Sequence, residues 1–249
     1  MKLVYLTTHD PLYLPAFFER VLRDHAADTL AVYAAPALYR RQTPAQAAWR
    51  YARTFGLGAA LGMTARLAAA RVKGQSIAEV CRRHQVLCAP VRDVNAPEFL
   101  DQLRRQGPDL LVSVSCPQLF KRPLIDLPPG GILNLHGAIL PHYRGVLPSF
   151  WMLANGEKQA GVSIYFVNER IDAGDLCGQR IYDILPGESL DGFLRRSKAI
   201  AAELLIEVLD QIEAGQVTRR PLDLAAGSYH SWPDRDAVRR FRAQGRRIW

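Results

Sequence analysis

Leu110-Leu111-Val112-Ser113-Val114 and, further on, Gly131-Ile132-Leu133-Asn134-Leu135-His136 are two short, mostly apolar runs bounded by polar and turn-forming residues. Runs of this length and composition read as buried strands. Working outward, Lys2–Thr7, Thr29–Ala34 and Gln85–Ala89 have the same character. Longer segments of helical period separate them: Pro15 leads into Phe17, Phe18, Val21 and Leu22, and a later segment carries Phe99, Leu100 and Leu103. Strands alternating with helices give an α/β chain with a Rossmann-like, mostly parallel sheet flanked by helices. The pattern then changes. Gly161–Val167 and Leu176–Ile184 are strands joined by a short polar loop with no helix between them, so an antiparallel hairpin element is predicted there. Ser189 is placed to cap a long helix with an apolar stripe of Leu190, Leu194, Leu204, Leu205, Val208, Leu209 and Ile212, and Gly215 to end it.

The 249 residues contain no low-complexity stretch that would divide them, so the economical reading is one main domain over 1–215 and a short C-terminal appendage over 216–249. An apolar fraction of 49% with 22% charged residues excludes a disordered or fibrous chain. The net charge of +8 is unevenly placed: Thr29 to Ser76 holds no Asp or Glu but carries Arg40, Arg41, Arg50, Arg53, Arg66, Arg71 and Lys73. Within it, about 43–73 reads as an Ala-rich insertion of one or two amphipathic helices. Two readings stand for that insertion: a solvated face packed on the body, or a peripheral contact with a membrane surface or an acidic partner. The tail Tyr229–Trp249, aromatic and Arg-rich, is expected to pack on the body or on a second subunit. The first apolar run ends within a few residues and no cleavage site follows, so a cytoplasmic location is expected. Cys81, Cys88, Cys116 and Cys177 have neither zinc nor disulfide-framework spacing, and no metal is predicted.

Asn134 and His136 are two apart at the end of a strand, so their side chains share one side of the sheet. That place, outside the carboxyl ends of the strands, is where open α/β sheets bind ligands. The longer string Asn134-Leu135-His136-Gly137-Ala138-Ile139-Leu140-Pro141-His142-Tyr143-Arg144-Gly145 and the later block Glu169-Arg170-Ile171-Asp172-Ala173-Gly174-Asp175 together resemble the signature of the folate-dependent formyltransferases. The resemblance covers about Pro108 to Gly215. It implies 10-formyltetrahydrofolate as formyl donor, Asn134, His136 and Asp172 as catalytic residues, and an Asp172 loop that closes over the folate. It also implies a folate crevice formed by Ser115, Cys116, Pro117, Leu119, Leu140, Asn168, Ile171 and Gly174. One departure is Ala138, where relatives commonly carry Ser.

The chemistry agrees with such roles. Formyl transfer to an amine passes through a tetrahedral adduct whose oxygen gains negative charge, which the Asn134 amide and the His136 ring could meet as donors. The amine must lose a proton and the departing nitrogen gain one, a task for Asp172 directly or through water. Tyr143 and Arg144 are candidate contacts to the acceptor, Tyr143 by stacking and Arg144 by pairing with phosphate. The turn after the first strand, Thr7-Thr8-His9-Asp10-Pro11, lacks the Gly-rich loop of a dinucleotide enzyme. The same lack argues against a glycinamide ribonucleotide acceptor, and the few residues after Gly215 argue against the second domain of a methionyl-tRNA formyltransferase. A nucleotide-linked amino sugar is the acceptor this reading favours. Hydroxyornithine or methionyl-tRNA as acceptor, a formyl-folate hydrolase, and a non-catalytic folate-binding module are the alternatives.

Overall fold

A computed structural model describes residues 1–36 and 43–249; Arg40 and Arg41 lie outside the described residues. Seven strands form one sheet: β1 (Leu3–Thr8), β2 (Thr29–Ala35), β3 (Leu87–Pro90), β4 (Leu110–Val114), β5 (Ile132–His136), β7 (Gln159–Phe166) and β8 (Leu176–Asp183). Their order is β3-β2-β1-β4-β5-β7-β8. The five strands from β3 to β5 are parallel, whereas β5 with β7 and β7 with β8 pair antiparallel. The expected α/β class and its antiparallel element are therefore both present.

Two apolar layers sandwich the sheet because successive strand residues point to opposite faces. Leu3 and Tyr5 of β1 join one layer, with Phe17, Phe18 and Val21 of α1 (Leu14–His25) and Leu204, Leu205 and Val208 of α8 (Leu190–Glu213). Val4 and Leu6 join the other, with Phe99, Leu100 and Leu103 of α5 (Pro97–Gln106). On β5, Leu133 and Leu135 face the first layer, which leaves Asn134 and His136 to the alternate side. Ser189 accepts from the Gly192 amide and so caps α8, as its sequence indicated.

The basic segment forms two helices, α2 (Pro44–Phe55) and α3 (Leu57–Val72), followed by α4 (Ile77–Arg83). A helix of four residues, α6 (Arg122–Ile125), precedes β5, and α7 (Pro148–Ala154) follows it. The tail returns to the body. Its short strand β9 (Tyr229–His230) pairs with β6 (Arg144–Gly145), and α9 (Arg235–Ala243) places Val238 and Phe241 against Phe55, Phe150 and Trp151 in a third apolar cluster. Gly62 on α3 leaves room for the last residue: a Cβ there would lie 2.5 Å from Trp249 Nε1.

Candidate active site

The order of strands reverses between β1 and β4, and the crevice at their carboxyl ends is the standard ligand position of such a sheet. Two cavities open there. One, of about 440 Å³, is lined by Asp10 and Tyr13 after β1, Ser115 and Cys116 after β4, Asn134 and His136 of β5, Asp172, and Lys198 of α8. The other, of about 580 Å³, lies between the Cys116–Lys121 segment and the Val167–Asp172 loop and takes in Tyr165 and Tyr229. Cys116, Asn134, Gly145 and Asp172 line both cavities, so the two meet at these residues.

At that junction the polar side chains form a connected set. Asn134 Nδ2 donates to Tyr165 Oη at 2.9 Å, and Tyr165 Oη donates to Asp172 Oδ1 at 2.8 Å. A carboxylate can only accept, so the tyrosine must donate to Asp172 and accept from Asn134, which fixes the amide orientation. Asn134 lines both cavities, and its amide carries a second N–H besides the one given to Tyr165. Asp172 Oδ2 accepts from the Gly145 amide at 2.8 Å. The His136 ring donates from Nε2 to the Tyr143 carbonyl at 2.8 Å, which leaves Nδ1 toward Asp172 Oδ1 at 3.6 Å. Asn134, His136 and Asp172 thus surround one point, with His136 and Asp172 buried. Burial, and the neighbouring Asp172 carboxylate, push the Tyr165 hydroxyl well above its ordinary value of 10.

The loops that hold this set are strained in a way that fits a site. Ser115, Tyr143, Leu147 and Asp172 have positive φ, and they make up four of the five non-glycine residues that do so among the described residues. Each such conformation costs of order 1–3 kcal/mol and persists where its surroundings enforce it. Gly174, two residues after Asp172, lies so close to the Phe166 carbonyl that no Cβ could fit. Ser163 Oγ donates to the Ala138 carbonyl at 2.7 Å and accepts from the Leu140 amide at 3.1 Å and from Gln179 Nε2 at 2.9 Å. Ser163 of β7 thus ties the Ala138–Leu140 segment to the sheet.

The other sequence candidates are dispersed. Ser115 lines the smaller cavity, Cys116 both, and Pro117, Leu119, Asn168 and Ile171 the larger. Leu140 is buried beneath the loop, and Gly174 shapes the Asp172 turn from behind. Tyr143 stacks on His230 and gives its hydroxyl to Glu157, on a separate cavity of about 430 Å³. Arg144 lines neither cavity, and its Nε is buried with no hydrogen-bond partner among the described residues. β6, which holds Arg144, pairs with the tail. Residues not singled out from the sequence take part instead: Tyr165, the Gly145 amide, and Lys198, whose Nζ donates to Ser115 Oγ at 2.8 Å. Tyr165 could have been found, because Ser163 and Tyr165 are polar-capable residues at period two within the mostly apolar run Gly161–Val167. Loss of hydration holds the Lys198 ammonium below its usual range, with Asp10 opposing that shift. No group of residues able to hold a metal is found among the described residues.

Comparison with known proteins places these features. The family model described as formyl transferase matches residues 64–209. The methionyl-tRNA formyltransferase of Ruminiclostridium cellulolyticum is 34% identical over 169 residues, covering 68% of this chain and 52% of that enzyme. The chain thus spans about half the length of this curated relative. Glycinamide ribonucleotide transformylase 1 from Symbiobacterium toebii superposes with a TM-score of 0.62 at 18% identity, over 90% of this chain and 95% of that one. The N-formyltransferase from Helicobacter canadensis, solved with folinic acid and dTDP-3-aminofucose, gives a TM-score of 0.61 at 15% identity, over 97% of this chain and 80% of that one. At such identities the structural likeness establishes the fold.

Proposed function

The chain belongs to the formyl transferase family, and from that premise we propose that it moves the formyl group of 10-formyltetrahydrofolate onto the amine of a small cytoplasmic acceptor, in the form of a nucleotide-linked amino sugar. The observation that carries the reading is the meeting of two cavities at Asn134 and Asp172. A two-substrate transfer needs one chamber on each side of the reacting carbon. The larger chamber is assigned to the reduced folate, a reading supported by its apolar walls of Pro117, Leu119, Val167 and Ile171 and by Asn134 and Asp172 in its lining.

The residues divide the work as follows. The free N–H of Asn134 is the donor for the formyl oxygen as it gains charge, and one such donor is worth about 3 kcal/mol in the barrier. Asp172, held by Tyr165 and the Gly145 amide, keeps its lone pairs near the His136 ring and receives the proton of the attacking amine. The same proton then returns to the folate nitrogen that leaves, so atoms balance as amine plus 10-formyltetrahydrofolate giving formamide plus tetrahydrofolate.

The acceptor assignment rests on the smaller chamber. Lys198 stands in it as a partly dehydrated cation, and the phosphate of a nucleotide sugar would restore its charge stabilisation. We therefore assign the anion contact to Lys198, in place of Arg144. The presence of an amino-sugar nucleotide in the Helicobacter canadensis structure supports the same class. Methionyl-tRNA is the second reading, favoured by the Ruminiclostridium cellulolyticum relative and the basic charge.

Tetrahydrofolate release from 10-formyltetrahydrofolate, measured with nucleotide-linked amino sugars, free amines and methionyl-tRNA, tests the proposal. Turnover with an amino-sugar nucleotide, and a raised KM for it alone in Lys198→Met, is the expected result. Turnover confined to methionyl-tRNA, or to water in the absence of amine, would overturn the acceptor assignment.

A further inference from the structure

Helix α3 wears its apolar residues on the outside. Leu57, Leu61, Ala65, Ala68 and Val72 fall within an arc of about 80° at 3.6 residues per turn, and all five are exposed. Leu57, Leu61 and Val72 are 75%, 71% and 89% exposed. The opposite face is the anchored one. Ala70 is buried there, Gly62 admits Trp249, and Arg66 stacks on Trp249 while its Nη1 reaches Asp191 Oδ2 at 3.0 Å. A helix that only decorated a globule would turn its leucines inward and its arginine outward. Beside it on α2, Trp49 is 62% exposed with the Arg53 guanidinium over its ring.

Charge decides what covers this face. From Thr29 to Ser76 the chain has no acidic residue. Arg71 and Lys73 are exposed at the end of α3 that carries Val72, and Arg53 is exposed on α2. A second copy of α3 laid along the stripe would set these cations against one another with no acid to answer them. An apolar stripe flanked by cations, with an exposed tryptophan beside it, suits an anionic lipid surface, where the stripe enters the acyl boundary and the cations meet headgroup phosphates. We propose that the α2–α3 hairpin docks the protein on anionic membranes, lying on the surface without crossing it. No helix among the described residues is long and apolar enough to span a bilayer. Ala68 belongs both to the stripe and, with Leu67 and Arg71, to the wall of a further cavity of about 620 Å³ that also takes in Asp10 of the smaller active-site chamber. Docking on α3 therefore sets the wall of this cavity at the lipid surface.

Cosedimentation with phosphatidylglycerol–phosphatidylcholine vesicles and with phosphatidylcholine vesicles alone tests the proposal. Binding is expected only to the anionic vesicles and is expected to weaken with salt. Leu57→Asp with Leu61→Asp should weaken it by at least about tenfold, and Arg53→Glu and Lys73→Glu by about fivefold each. Folinic acid binding and thermal unfolding should be unchanged in the leucine variant, which separates lost docking from lost folding. Three results would overturn the proposal: equal binding of wild type to both vesicle types or to neither; a wild-type dimer that the leucine variant dissociates; or retention by tRNA that the charge reversals abolish and the leucine changes do not.

Discussion

Replacing Tyr165 with Phe removes one oxygen atom from the buried chain that joins Asn134 to Asp172. The ring is buried and its packing survives, so the damage is confined to two hydrogen bonds. Asp172 Oδ1 loses a donor and the Asn134 amide an acceptor that fixed its rotation. A hydrogen bond to a charged group is worth about 1.5–3 kcal/mol, which converts to a fall of roughly 10- to 100-fold in the rate of formyl transfer if the bond acts in the transition state. The variant should still bind folinic acid, because the walls of the larger cavity are untouched apart from the lost hydroxyl. Single-turnover transfer from 10-formyltetrahydrofolate, alongside a folinic acid titration, separates the two effects. A purely structural role would lower the melting temperature and spare the transfer step. Tyr165→Phe transferring at the wild-type rate would refute the claim that this hydroxyl positions the catalytic pair.

Ser163→Ala strips the brace from the Ala138 carbonyl, the Leu140 amide and Gln179 together, and should cost about 1–3 kcal/mol of stability in denaturant unfolding. Gly145→Ala meets both a positive φ of 97° and the His230 carbonyl, so it should displace the amide that holds Asp172 and cut transfer more than folate binding. Lys198 has a folded pKa below its ordinary 10.5, so the unfolded chain takes up the extra proton and the group costs stability at neutral pH. That cost disappears as pH rises past 10.5, so Lys198→Met should stabilise the protein at pH 7 and lose its advantage in alkaline unfolding experiments. A constant gap across that range would contradict the assigned loss of hydration.

The strands were legible because a buried parallel sheet writes itself as apolar runs between helical periods, and Leu110–Val114 was placed to the residue. Its site was legible for a related reason: Asn134 and His136 needed only a period of two to be put on one side of β5, and the signature string supplied Asp172. What escaped has physical causes. Helix α7 is buried on all sides, so its seven residues show no polar face from which to read a period. Arg144 and Tyr143 follow His136 closely in sequence, but Arg144 pairs with Tyr229 and the Tyr143 amide donates to Ser228 Oγ, 85 residues on. Local reasoning has no access to such a contact. Lys198 was hidden for the same reason, since only the packing of α8 against α1, β7 and β8 brings it to Ser115. The outward stripe of α3 was visible as amphipathic, but which face looks outward depends on Trp249 and Asp191, both far away in the chain.

The most direct test of the account follows the formyl carbon itself. Wild type and Asn134→Ala are each given 10-formyltetrahydrofolate with an isotopically labelled formyl group and an amino-sugar nucleotide, and the products are resolved by mass spectrometry. The account predicts the label as a formamide on the acceptor, formed about 100-fold more slowly by Asn134→Ala. Label recovered only as formate, or formamide made equally fast by the two proteins, would contradict it.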